Sequence, residues 1–154
     1  MEGTVKVSCT IAVLLATLSI IDAHAQTSTP AQQFTTQAMA ECDLGRRAED
    51  RDTRLKHFEK GQDFGEQAVA ADDQSPDAHF SLFCNLGEQM RIDGETSIAS
   101  VFGFRRMMKE LNRTLELAPD HLDALSAKGT FLVRLPSLLG GDKEKGEALL
   151  RHII

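Results

Sequence analysis

Residues 68–78, AVAADDQSPDA, lie over residues 114–124, TLELAPDHLDA, at a displacement of 46 residues. The alignment carries Ala78 onto Ala124 and Leu86 onto Leu132. An internal repeat constrains a fold more than composition does, because one repeat cannot bury its apolar face alone and must lie against a neighbour. Both copies run from an apolar helical pattern, through a polar break, into the start of another helical pattern. The repeating unit is therefore a helical hairpin.

The rest of the chain agrees with helices. Apolar residues recur three and four apart, strand-type alternation is scarce, and Val, Ile and Thr are not clustered beyond the N-terminal stretch. With no Trp and no Tyr, the core must come from Leu, Ala, Met, Ile, Val and Phe, mostly good helix formers. The spacing predicts helices over 31–48, 51–71, 76–92, 95–117, 121–134 and 143–154. Ser75 before Pro76 is a start signal, and Asp120 and Asp142 are the expected caps of the last two helices. Six helices in three consecutive pairs make the expected fold all-α, with stacked antiparallel helical hairpins. Gly61, Ala68, Ala78, Ala124, Gly129 and Gly146 are small enough to let backbones approach closely.

The N-terminus stands apart. Lys6 is followed by an apolar run over 7–21, then by Ala23-His24-Ala25 and the polar stretch QTSTP. That order is the layout of a secretory signal peptide cleaved after Ala25. The alternative, a retained membrane anchor, is weakened by the run's 15 residues against the roughly 20 that span a bilayer. Cys9 lies near the start of the run rather than just after it, which disfavours a lipoprotein. The expected organisation is a signal peptide over 1–25, a flexible linker over 26–33 and a helical repeat domain over 34–154. Export to the periplasm or beyond follows from that reading, with no stable membrane span after cleavage.

The formal net charge of −6 becomes about −5 on cleavage, which argues against nucleic acid and against anionic lipid as partners. Cys42 and Cys84 remain; two cysteines cannot frame a fold, and each sits in an apolar helical pattern, so buried free thiols are expected rather than a bridge. His57, His79, His121 and His152 show no metal-ligand spacing, and solvated or amide-capping roles are expected for them. Neither a nucleophile elbow nor a phosphate loop occurs. Gly140-Gly141-Asp142 reads as a turn and cap, the acidic clusters around 49–52 and 72–73 as solvated loops rather than a calcium site, and Arg105, Arg106, Lys109 and Arg113 as a solvated basic face that could dock an acidic partner. Asn112-Arg113-Thr114 is a formal glycosylation sequon inside a predicted helix.

LELAPD at 115–120, followed by DALSAKG at 123–129, resembles the junction between successive tetratricopeptide repeats (TPR), with Pro119, Ala124 and Gly129 at the family's proline and small-residue positions. The earlier junction departs from the pattern, with Asp73 for the proline and Phe83 for the glycine, and the displacement of 46 exceeds the family's usual 34. LPSLLGGD at 135–142 resembles an insert in exported bacterial members similar to the T component of TRAP-type transporters. The resemblance covers about 54–154. It implies a right-handed α-solenoid of about three hairpins whose concave face, lined by the first helix of each pair, binds a protein or peptide. Asp77, Phe80, Cys84, Asp123, Ser126, Thr130 and Arg134 would then face the partner, Phe80 as an apolar anchor and Arg134 as a carboxylate clamp.

The expected function is a non-enzymatic periplasmic scaffold with no cofactor and no metal. The alternative is an accessory of a TRAP-type uptake system that holds a small ligand or a solute-binding protein; an enzyme is the third reading. The apolar end of the chain, Leu149, Leu150, Ile153 and Ile154, lacks the polar capping helix of a finished array, so either the chain is part of a longer one or that helix self-associates.

Overall fold

The computed structural model describes residues 28–93 and 98–153. The signal peptide expected over 1–25 lies outside them, as do residues 26–27 of the expected linker and the start expected for the fourth helix at 95. Six helices follow in order: α1 Pro30–Arg47, α2 Arg51–Ala71, α3 Pro76–Asp93, α4 Ile98–Leu117, α5 Leu122–Arg134 and α6 Lys143–His152, with a 3-10 turn at Ser137–Leu139. No strand occurs among the described residues. None of these helices is long and apolar enough to cross a membrane.

Local chemistry sets where each helix begins. The Thr29 hydroxyl accepts from Gln32 N at 3.2 Å while the Gln32 side chain accepts from Thr29 N at 2.9 Å. This reciprocal cap, with Pro30 in the first turn, starts α1 inside the stretch expected to be a linker to residue 33. Asp50 caps α2 through Thr53 N at 2.8 Å, and Ser75 caps α3 through Ala78 N at 3.3 Å. The cap of α5 is His121 rather than Asp120. The Ala118–His121 turn brings His121 N to Ala118 O, which places its Nδ1 3.2 Å from Ala124 N and leaves Asp120 exposed. Asp142 caps α6 through Lys145 N at 3.0 Å.

Each helix packs against the next, α1 also lies against α3, and α4–α5 is the thinnest of these seams. α3 is central: Ser81 to Leu86 are all buried. On one side Cys84 joins Cys42 and Phe58 in a small core with Met39 and Ile92. On the other, Leu82, Phe83 and Leu86 meet Met107, Leu111 and Ala124. The six small residues expected at close approaches are all buried. Where α5 crosses α6, a Cβ on Gly146 would stand 2.8 Å from the Gly129 carbonyl oxygen, so a larger residue there would push the helices apart. Leu150 covers Gly129, so part of the apolar C-terminal run is used inside the α5–α6 hairpin.

Two findings correct expectations about polar and sulfur groups. Cys42 and Cys84 are joined by a disulfide, with Cα atoms 6.7 Å apart, and are not free thiols. His79 is not solvated: it is buried, with Nδ1 2.6 Å from Glu110 Oε2 and Nε2 3.0 Å from Asp73 O. Both ring nitrogens face acceptors, so the bonds fix α3 to α4 and to the turn before α3. His57 lies 2.7 Å from Glu41, tying α2 to α1.

Candidate partner-binding cleft

The first helix of each consecutive pair, α1, α3 and α5, contributes one wall of a cleft of about 460 Å³. Helical periodicity explains the membership. Phe80, Cys84, Gly87, Glu88 and Arg91 fall on one stripe of α3, and Asp123, Ser126, Ala127 and Thr130 on one stripe of α5. Met39 and Arg46, two turns apart, come from α1, and Phe83 and Phe131 complete the lining.

The floor is apolar and braced by rings. Phe80 lies 5.6 Å from Phe83 and 4.7 Å from the His121 ring, and Phe83 meets Phe131 edge-on at 6.2 Å. Offset and edge-on contacts suit the ring quadrupoles and fix the positions of these side chains.

One rim is charged. Glu88 Oε1 accepts from Arg46 Nε at 2.8 Å, and Glu88 Oε2 accepts from Arg91 Nη2 at 2.7 Å. Burial opposes ionisation of Glu88, but the hydrogen bonds and charges of Arg46 and Arg91 outweigh it and hold its carboxyl below the ordinary glutamate range. Arg46 also donates to Cys84 Sγ at 3.1 Å. Two guanidiniums thus share one half-buried carboxylate, with the more exposed Asp43 3.7 Å from Arg46. Asp123 stands on the α5 wall. Such a surface can hold an apolar side chain on the rings and an anionic group at the guanidiniums.

Of the seven residues predicted to face a partner, Phe80, Cys84, Asp123, Ser126 and Thr130 line this cleft together. Asp77 and Arg134 do not. Asp77 is exposed one turn before Phe80, 3.4 Å from His121 Nε2, and Arg134 is exposed in the last turn of α5. Cys84 contributes a disulfide sulfur, and the Thr130 hydroxyl donates to Ser126 O at 2.9 Å. Glu88 and Arg91 escaped the prediction although they continue the α3 stripe by one and two turns. Met39 and Arg46 escaped it because the family resemblance begins only near residue 54.

Among the described residues no three His, Cys, Asp or Glu side chains gather in a way that could hold a metal ion. In the sequon, Thr114 is fully buried and the Asn112 side chain accepts from Lys128 at 2.7 Å. No protein-family model matches the chain, and no curated protein matches it.

Proposed function

We propose that this chain is an exported, non-enzymatic scaffold of TPR-like construction, in which the hairpins α1–α2, α3–α4 and α5–α6 stack as a short right-handed solenoid and the cleft between the odd-numbered helices binds a segment of a protein partner in the periplasm. The observation that carries the reading is the convergence of Phe80, Cys84, Asp123, Ser126 and Thr130 in one cleft beside the Arg46–Glu88–Arg91 cluster. An aromatic floor with guanidiniums at its edge has the composition of interface hot spots.

The test is site-specific photocrosslinking in the native host. A benzophenone side chain replacing Thr130 should yield one discrete adduct, lost when Arg91→Glu is added, whereas the same group at the exposed Lys56 should yield none. Equal adducts from both positions, or none from Thr130, would overturn the cleft. Truncating an anchor such as Phe80 to alanine should weaken the partner by about 2 kcal/mol or more, roughly 30-fold.

One observation favours the second reading, an accessory of a TRAP-type uptake system. A cleft of about 460 Å³ falls within the range of small-molecule sites, 300–1,000 Å³ in order of magnitude. Native mass spectrometry separates the readings: a stoichiometric small acid released on denaturation supports the accessory, and a bare chain supports the scaffold.

A further inference from the structure

A second surface lies along α4, sharing Phe131 with the lining of the cleft, and its role does not depend on what the cleft binds. On α4, Phe104 and Met108 line two adjoining grooves. One runs along α4 past Arg105, Lys109 and Arg113. The other, of about 230 Å³, is walled by Phe131 and Leu132 of α5 and by Leu135 just after it, and closed by Leu139. Val101 extends the apolar row by a turn and is 53% exposed, beside Phe102 at 67%. The α4–α5 seam is thin, and Phe104 and Met108 stay half-buried beside it.

The charge on this face departs from that of the whole chain. In a chain of net charge −6, the row Arg105, Lys109, Arg113 repeats every four residues, over about 12 Å at 1.5 Å per residue. Arg113 is partly satisfied by Glu116 at 3.2 Å and Gln74 at 3.3 Å. Arg105 and Lys109 are exposed and have no ion-pair partner among the described residues. Lys128, at the edge of the smaller groove, bonds the neutral Asn112 and has no ion-pair partner among the described residues. Burial and the charge of Lys145 both weaken Lys128's hold on its proton. The groove is therefore an apolar channel flanked by cations, of which Arg105, Lys109 and Lys128 have no ion-pair partner among the described residues.

We infer that this groove is a docking site for an acidic amphipathic helix of a partner protein, its apolar stripe on Phe104, Met108 and Leu139 and its carboxylates against Arg105, Lys109 and Lys128. The four-residue step of the cations matches the step at which one face of a helix repeats. A nucleic-acid backbone would use the cations and leave the apolar channel empty. Apolar anchors set affinity here, and the flanking charges set partner choice and encounter rate.

The probe is a fluorescent 18-residue peptide with leucines at i, i+3, i+4 and i+7 and glutamates around them, compared with a peptide of the same composition whose leucines are scattered. With the full chain, the amphipathic peptide should bind saturably, more weakly as salt rises, and at least tenfold more tightly than the scattered one. Arg105→Glu with Lys109→Glu should weaken it at least tenfold with an unchanged thermal melt. Arg91→Glu, which disables the cleft rim instead, should leave it bound; loss with Arg91→Glu but not with the double reversal would assign the peptide to the cleft and overturn the groove. Equal binding of the two peptides, or of the double variant and the parent, would also overturn it. So would binding to phosphatidylcholine vesicles with one-quarter phosphatidylglycerol that the double variant loses, since that assigns the face to a lipid surface.

Discussion

Gly65 on α2 and Gly87 on α3 show how one atom can be decisive or harmless. A Cβ on Gly65 would come within 2.9 Å of Leu82 Cα and 3.1 Å of Leu82 N, which are backbone atoms that move only if α2 and α3 separate. A Cβ on Gly87 would meet only Met107 Sδ, at 3.3 Å, near the end of a flexible side chain. Alanine gains up to about 1 kcal/mol over glycine in a helix interior, while overpacking costs about 1–3 kcal/mol. Gly65→Ala should therefore lower the thermal midpoint. Gly87→Ala should leave it unchanged or raise it, because the methionine can move aside. Equal shifts for both would mean that the α2–α3 approach is looser than described.

Among the elements, the Cys42–Cys84 bond is the one covalent link between helices. It joins α1 to α3 across 42 residues, alongside the Asn85 Nδ2 hydrogen bond to Ala38 O at 3.0 Å. In the chain-entropy view, closing a loop of that size stabilises the fold by about 2–4 kcal/mol. Reduction, or Cys42→Ser with Cys84→Ser, should lower the denaturation midpoint accordingly. Under denaturing, non-reducing conditions, alkylation should leave both cysteines unlabelled. Labelling of Cys42 and Cys84 before any reductant is added would remove the bond from the account.

The helices themselves were legible in the sequence because their period is regular and some limits are written in neighbouring residues: Ser75 and Pro76, and Asp142, state where α3 and α6 begin, whereas Asp50, read as part of a solvated acidic loop, turned out to cap α2. Other features depend on distances no sequence prints. Thr29 and Gln32 spell a capping box, but Pro30 in a polar stretch invited a linker instead. His121 took the α5 cap from Asp120 because the turn places its ring nitrogen over Ala124 N. The disulfide was not readable, since two cysteines in apolar helical patterns bond only if α1 and α3 lie side by side. The cleft was half legible for the same reason: the α3 and α5 stripes follow from periodicity, whereas the α1 wall requires knowing that α1 folds back onto α3.

Over the whole molecule, carboxylates bridge helices in several places. Glu41 meets His57 and Lys60 of α2, Glu66 of α2 meets Arg106 of α4 at 2.6 Å, and Glu88 of α3 meets Arg46 of α1. Burial opposes ionisation of Glu41, but His57 and Lys60 draw its affinity for protons below the usual range. Glu66 is held low by Gln62 first and by Arg106 after it, with burial opposing. A carboxyl whose folded pKa lies below its unfolded value contributes stability that is complete above the unfolded value, about 4.3 for glutamate, and is lost as pH falls through the folded one. The contribution of these three carboxylates should thus be constant down to about pH 5 and be lost below about 4. Glu88→Gln should shrink that acid-dependent loss, measured by urea denaturation at a series of pH values. Glu66, more exposed, should contribute less than Glu41 or Glu88.

The sulfur bridge also reroutes mechanical load. If the two ends of the chain are drawn apart, tension entering α1 passes at Cys42 directly into α3 at Cys84, and the stretch between them, with all of α2, stays slack. Those 42 peptide steps are contour length held in reserve, roughly 150 Å when fully drawn out. A thiol in the surroundings would release it, so the distance the protein can span under strain depends on the redox state of its compartment.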